Sequence, residues 1–227
     1  MSKVVLFGTG RGADIAYRFL KRDSDHKVCA FAVDRQYLTR DTFHDLPVIA
    51  FEEIERRFAP GEYDMLVPLG YQGMNRLRAE KYFAAKQKGY SFISYANSHS
   101  YRAEELNIGE NCIILDNQSI SLDVKIGNNV VMWSSNHIGD LTTVGDHAWL
   151  SSHVTIAAEA VVEPYCFVGI GATVGNKVTL GQSTFVGANA LVTSDTAEKS
   201  VCVAGESERI DVDSGTFMRI MMAKGNL

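Results

Sequence analysis

The sequence predicts two architectures in series, an α/β domain over residues 1–100 and a parallel β-helix over 101–205, followed by a short tail over 206–227. Three observations predict this. Apolar residues recur every six positions from Ile108 to Val192. Strand-like and helix-like stretches alternate before residue 95. The first strand-like stretch ends in glycines.

The hexad runs Ile108, Ile114, Ile120, Ile126, Met132, Ile138, Val144, Leu150, Ile156, Val162, Val168, Val174, Leu180, Val186 and Val192, with no polar member and no slip of register. Glycine directly follows many of these positions, as at Gly109, Gly139, Gly169 and Gly187, and small residues such as Ala148, Ala160 and Ala172 stand four places on. A strict six-residue period is the signature of a parallel β-helix, in which each hexapeptide gives one short strand and one tight corner. Three hexapeptides make a coil of about eighteen residues, so 108–195 holds about five coils.

The first hundred residues read differently. "KVVLFGTG" is a buried-type strand ending in glycines, "RGADIAYRFLKR" has helical spacing, and "KVCAFAVD" is a second strand ending in Asp34. "PVIAFEEIERRF", "YDMLVPLG", "MNRLRAEKYFAAKQKGY" and "SFISY" continue the alternation, which implies a mainly parallel sheet covered by helices. Gly8, Gly10 and Ala13 fit the fingerprint G-x-G-x-x-[G/A], with Asp34 at the distance of a ribose-binding acid. The domain is therefore Rossmann-like, yet too short for the second half a dehydrogenase needs. A glycine turn at a helix N-terminus favours phosphate oxygens, so Gly8, Thr9, Gly10 and Asp34 are candidates for holding a nucleotide. "LGYQGMNRLR" lies at the same carboxyl edge, where Gly70, Asn75 and Arg78 are candidates for closing over the nucleotide or sugar. A solvated helix charge is an equal reading of Arg78.

Composition narrows the function. The net charge of −5, without a Lys/Arg cluster, argues against nucleic-acid binding. Cys29, Cys112, Cys166 and Cys202 lack metal-type spacing and fit reduced cytosolic thiols. The chain shows neither a signal peptide nor an apolar run long enough for a membrane span. A cytoplasmic protein is expected.

A short Rossmann-like domain followed by hexapeptide coils resembles the bacterial sugar acyltransferases of the left-handed β-helix type, among them nucleotide-sugar N-acetyltransferases and sialic acid O-acetyltransferases. The resemblance is carried by "FGTGRGA" with Asp34, "LGYQGMNRLR", "SNHIGD…VGDHAWLSSHV" and "FVGANALVTSDT" leading to "VCVAGE". It implies left-handed coiling and a homotrimer, with acetyl-CoA lying along the β-helix between subunits. The acceptor it implies is a nucleotide-linked amino sugar, or in the alternative a sugar hydroxyl. A non-catalytic β-helix subunit of a larger assembly is the reading from another class, and the nucleotide fingerprint argues against it.

The family's base is a histidine two residues after its hexad position, and that register lands here on Asp140. A carboxylate can take a proton from an ammonium but is a poor base for a hydroxyl. His137, three residues earlier, is a candidate to replace the imidazole, so His137 and Asp140 are the expected catalytic pair. In the alternative, an amine attacks already deprotonated and no side-chain base is needed. For the donor, His153 and the corner residues Ala158, Ile170 and Ala188 are the expected contacts. His147 reads as a solvated turn residue. No metal is expected, because zinc needs converging histidines and the spacing of His147 and His153 does not match the zinc enzymes on this fold. The proline of the family's terminal Gly-x-Pro-Ala turn is absent from "CVAGESERI", which leaves the adenine end unassigned. The apolar spacing of "DSGTFMRIMMAKGNL" suggests a short helix capping the last coil.

Overall fold

The computed structural model describes residues 1–102 and 105–224. The N-terminal domain contains β1 (Lys3–Phe7), α1 (Arg11–Asp23), β2 (Lys27–Val33), β3 (Thr42–Phe43), β4 (Leu46–Ala50), β5 (Asp64–Leu66) and α2 (Arg76–Gln87). Its sheet has the order β3-β4-β2-β1-β5, parallel except for the β3–β4 hairpin. Alternation along β1 sends Val4 and Leu6 to one face and Val5 and Phe7 to the other. The first face receives Ala13, Ala16 and Leu20, one stripe of α1 at helical spacing. The second packs on Phe51, Ile54, Ala85 and Tyr90.

From Tyr95 to Cys202 the described residues wind into a three-sided parallel β-helix of two-residue strands. Its sheets contain seven, six and five strands among the described residues. Partners lie eighteen residues apart, as in Val131 with Trp149 and His137 with Thr155. The hexad side chains from Ile114 to Val192 point inward and form one continuous buried column. The repeat starts earlier than the sequence suggests: Tyr95–Ala96 and Tyr101–Arg102 already pair in register with the coils above. Arg102 occupies a hexad position without being aliphatic, which hid this coil. At the other end Phe185 pairs with Val201, sixteen residues on, so the last coil is two residues short.

The corners explain the choice of residues. Three places after each hexad position from Ile108 to Val186 the backbone turns left-handed, at Asn111, Asn117, Asn129, Ser135, His147, His153 and Asn189 among others, with φ between 55° and 68°. Asparagine tolerates this region better than most residues. Directly after the hexad position the coils approach closely, and a Cβ at Gly139 would lie 2.5 Å from the Ala158 nitrogen.

One outer face of the β-helix is covered. Ile113, Val131, Trp149 and Phe167 point outward from the seven-stranded sheet and share a core with β1, β2 and α1. The tail forms a helix, α3 (Ser214–Ala223), N-capped by Asp213. None of its residues is buried, so it does not cover the last coil as expected; residues 225–227 lie outside the described part.

Candidate active site

The glycine turn is built as the fingerprint requires. Gly8 adopts φ 104°, a conformation unfavourable to a side chain. Gly10 is the N-cap of α1 and supplies no side-chain cap, so the first N–H groups of a thirteen-residue helix face outward. A Cβ added at Gly10 would meet nothing within 4 Å. Two hollows flank this turn and share Phe7, Gly8, Gly10 and Leu69.

The hollow on the sheet side, of about 390 Å³, also holds Thr9, Asp34, Gln36, Tyr37 and Lys81. Asp34 stands at the end of β2 as expected, paired with Lys81 at 2.9 Å. The sequence reading missed Lys81. The hollow on the β-helix side, of about 320 Å³, is lined by Arg11, Gly70 and Tyr71 against Val131, Trp133 and Trp149 of the covered face. Tyr71 meets the rings of Trp149 and Phe167 at centroid distances of 5.2 and 4.7 Å.

Asn75 and Arg78 are not available to a nucleotide. Both are fully buried at the junction between the domains. Arg78 donates to the carbonyl oxygens of Gly70, Asn129, His147 and Ala148 and to the Asn75 side chain. Asn75 in turn donates to the Tyr165 and Cys166 carbonyls. Burial pulls the Arg78 pKa down to about 9, which leaves it charged at neutral pH. The corner carbonyls take up its donors, so Arg78 is neither a substrate clamp nor a solvated charge.

His147 also departs from expectation. It is buried, not solvated, and packs against Tyr82, Phe83 and Tyr165. Its Nδ1 lies 2.8 Å from the Asn129 amide in a column that continues to Asn111, whose side-chain oxygen accepts from the Val67 N–H. Burial lowers its pKa to about 4, with the charge of Arg78 adding to the effect and Asp146 opposing it.

His137 and Asp140 are exposed, His137 on a strand of the six-stranded sheet and Asp140 on the corner that follows. The His137 Nδ1 lies 3.3 Å from Ser119 Oγ, and Asp140 accepts the Leu122 N–H at 3.0 Å. Each is thus tied to the coil below, and no hydrogen bond joins the two side chains among the described residues. His153 is exposed on the corner before that sheet, on the same edge as Ile170 and Ala188 of the coils above. Ala158 lies on the other edge, in the coil above Asp140, whose carbonyl accepts the Glu159 N–H at 2.7 Å. The donor candidates therefore divide between two edges that border the face bearing His137. Among the described residues no group of three or more His, Cys, Asp or Glu side chains could hold a metal ion.

No family model matches the sequence, and no curated protein matches it. Solved structures do. PerB from Caulobacter crescentus, in complex with CoA and GDP-perosamine, superposes with a TM-score of 0.76 at 20% identity, over 90% of this chain and 95% of that one. The acetyltransferase domain of PglB from Neisseria gonorrhoeae gives 0.77 at 15% identity, over 92% and 100%. WeeI from Acinetobacter baumannii gives 0.75 at 14% identity, over the same shares. The chain shares the fold of these proteins over nearly its whole length, and its coils form a left-handed β-helix.

Proposed function

We propose that this protein is an acetyl-CoA-dependent acetyltransferase that acts on the amino group of a nucleotide-linked amino sugar, working as a cytoplasmic homotrimer. The observation that carries the reading is the sheet-side hollow, lined by Asp34 and by the Gly8–Gly10 turn that ends at the N-cap of α1. Those groups suit a nucleoside diphosphate: N–H groups and the helix dipole for phosphate, a carboxylate for ribose. The N-terminal domain is thus a Rossmann-like acceptor domain, and the coils hold the donor. PerB, which shares the fold, binds CoA and GDP-perosamine.

In the proposed reaction the amine nitrogen attacks the thioester carbonyl of acetyl-CoA. The C–S bond breaks as the amide forms, the electron pair leaves with sulfur, and the amine's proton passes through His137 or Asp140 to the thiolate. Small corner residues such as Ala158 and Ala188 leave backbone groups accessible to the pantetheine amides. Asp140 at the base position favours an amine over a hydroxyl acceptor, since an alcohol needs a stronger base. No described helix is long and apolar enough to cross a membrane.

A panel of nucleotide-linked amino sugars, scored by release of free thiol from acetyl-CoA, tests this reading. Turnover with at least one nucleotide amino sugar, and none with the free amino sugar, is expected. Thiol release that is indifferent to the nucleotide would overturn it.

A further inference from the structure

Asp34 does not stand alone at the end of β2. The ammonium of Lys81, on α2, lies 3.0 Å from one carboxylate oxygen and 2.9 Å from the other. The two side chains are only 17% and 15% exposed. Both line the sheet-side hollow with Gly10, Gln36 and Tyr37. Glu80 lies 3.3 Å from the same ammonium, and Phe7 presents its ring at 5.9 Å. Burial works against the charge on Lys81, but the bonds to Asp34 and Glu80 outweigh it and raise its pKa. The pair is therefore a fixed acceptor beside a fixed donor.

A carboxylate only accepts hydrogen bonds and an ammonium only donates them, whereas a hydroxyl does both. The vicinal 2′- and 3′-hydroxyls of ribose complement such a pair, one giving its proton to the carboxylate while the other accepts from the ammonium. A 2′-deoxyribose has one hydroxyl there and leaves one charged partner unmatched in a partly dry pocket. Lys81 also offsets the charge of Asp34, which would otherwise repel a diphosphate at the neighbouring glycine turn.

We propose that Asp34 and Lys81 together read the ribose diol, so that the acceptor is carried on a ribonucleotide and not on a 2′-deoxyribonucleotide. The proposal rests on the reading of this hollow as the nucleotide site.

Isothermal titration of the full-length protein with UDP, 2′-deoxy-UDP, GDP and 2′-deoxy-GDP tests it. For whichever base binds, the ribo form is expected to bind about tenfold tighter or more, the worth of one hydrogen bond to a charged group. Lys81→Met is expected to pull that ratio towards one, an effect that mere loss of packing would not produce. Equal affinity of the ribo and deoxy forms in the unsubstituted protein overturns the proposal, whether or not the variant folds. An unchanged ratio in Lys81→Met overturns the role of Lys81. If none of the four nucleotides binds at millimolar concentration, the nucleotide reading of the hollow itself fails and the proposal falls with it.

Discussion

His147 shows how a corner residue can read as solvated in a sequence and serve as buried structure in the fold. It occupies a left-handed position that Asn111 and Asn129 fill in the two coils below, and it continues their side-chain column. Its lowered pKa makes it a source of acid sensitivity. The unfolded imidazole titrates near 6.5, whereas the folded one resists protonation down to about 4. Between these values the unfolded state binds more protons, so stability falls as pH drops through that window and levels off below it. The loss amounts to about 3 kcal/mol. His147→Asn suits the left-handed backbone and should flatten this part of the curve, measured by urea unfolding at pH 7, 5.5 and 4. An unchanged slope would show that another group carries it. For His137, exposed on its strand, the expectation is kinetic. His137→Asn should lower kcat by about 10²–10⁴ with little change in either KM, the usual share of a general base. If Asp140→Asn does this damage instead, the carboxylate is the base. If neither does, the amine attacks unaided.

At the scale of elements, the β-helix was legible because its period is absolute: the hexad positions named from the sequence form the buried column. The glycine turn and Asp34 were legible for a similar reason, since a tight strand-to-helix turn restricts residue choice. The junction between the domains was not recognised, although a signal was present. The outward positions Ile113, Val131, Trp149, Phe167 and Phe185 recur every eighteen residues and are all apolar. On the adjacent face Ser119, His137, Thr155 and Thr173 are polar. An apolar outer stripe on one face in three means a covered face. Asn75 and Arg78 escaped correct assignment for another reason. Nothing local shows that a helix N-terminus will meet the carbonyls of a distant corner. Arg78→Met should leave those carbonyls without donors and cost about 3 kcal/mol or more. Urea unfolding checks this, and a loss under about 1 kcal/mol would show that the junction does not depend on the guanidinium.

At the scale of the whole molecule, the proposed acceptor hollow and the proposed donor edges lie on different parts of one chain. The N-terminal domain covers one outer face of the β-helix, while His137 projects from another. The proposed trimer would bring one subunit's proposed acceptor hollow to a neighbour's exposed face. Light scattering should therefore give about three times the 25.0 kDa chain mass at micromolar concentration; a monomer mass would contradict that assembly. The central claim is the division of labour between the domains, acceptor at the glycine turn and donor on the coils. The most direct test is the pair of KM values for Asp34→Ala in the thiol-release assay. The acceptor KM should rise about tenfold or more, the worth of a hydrogen bond to a charged group, while the KM for acetyl-CoA stays nearly unchanged. Equal effects on both substrates, or none on the acceptor, would contradict the account.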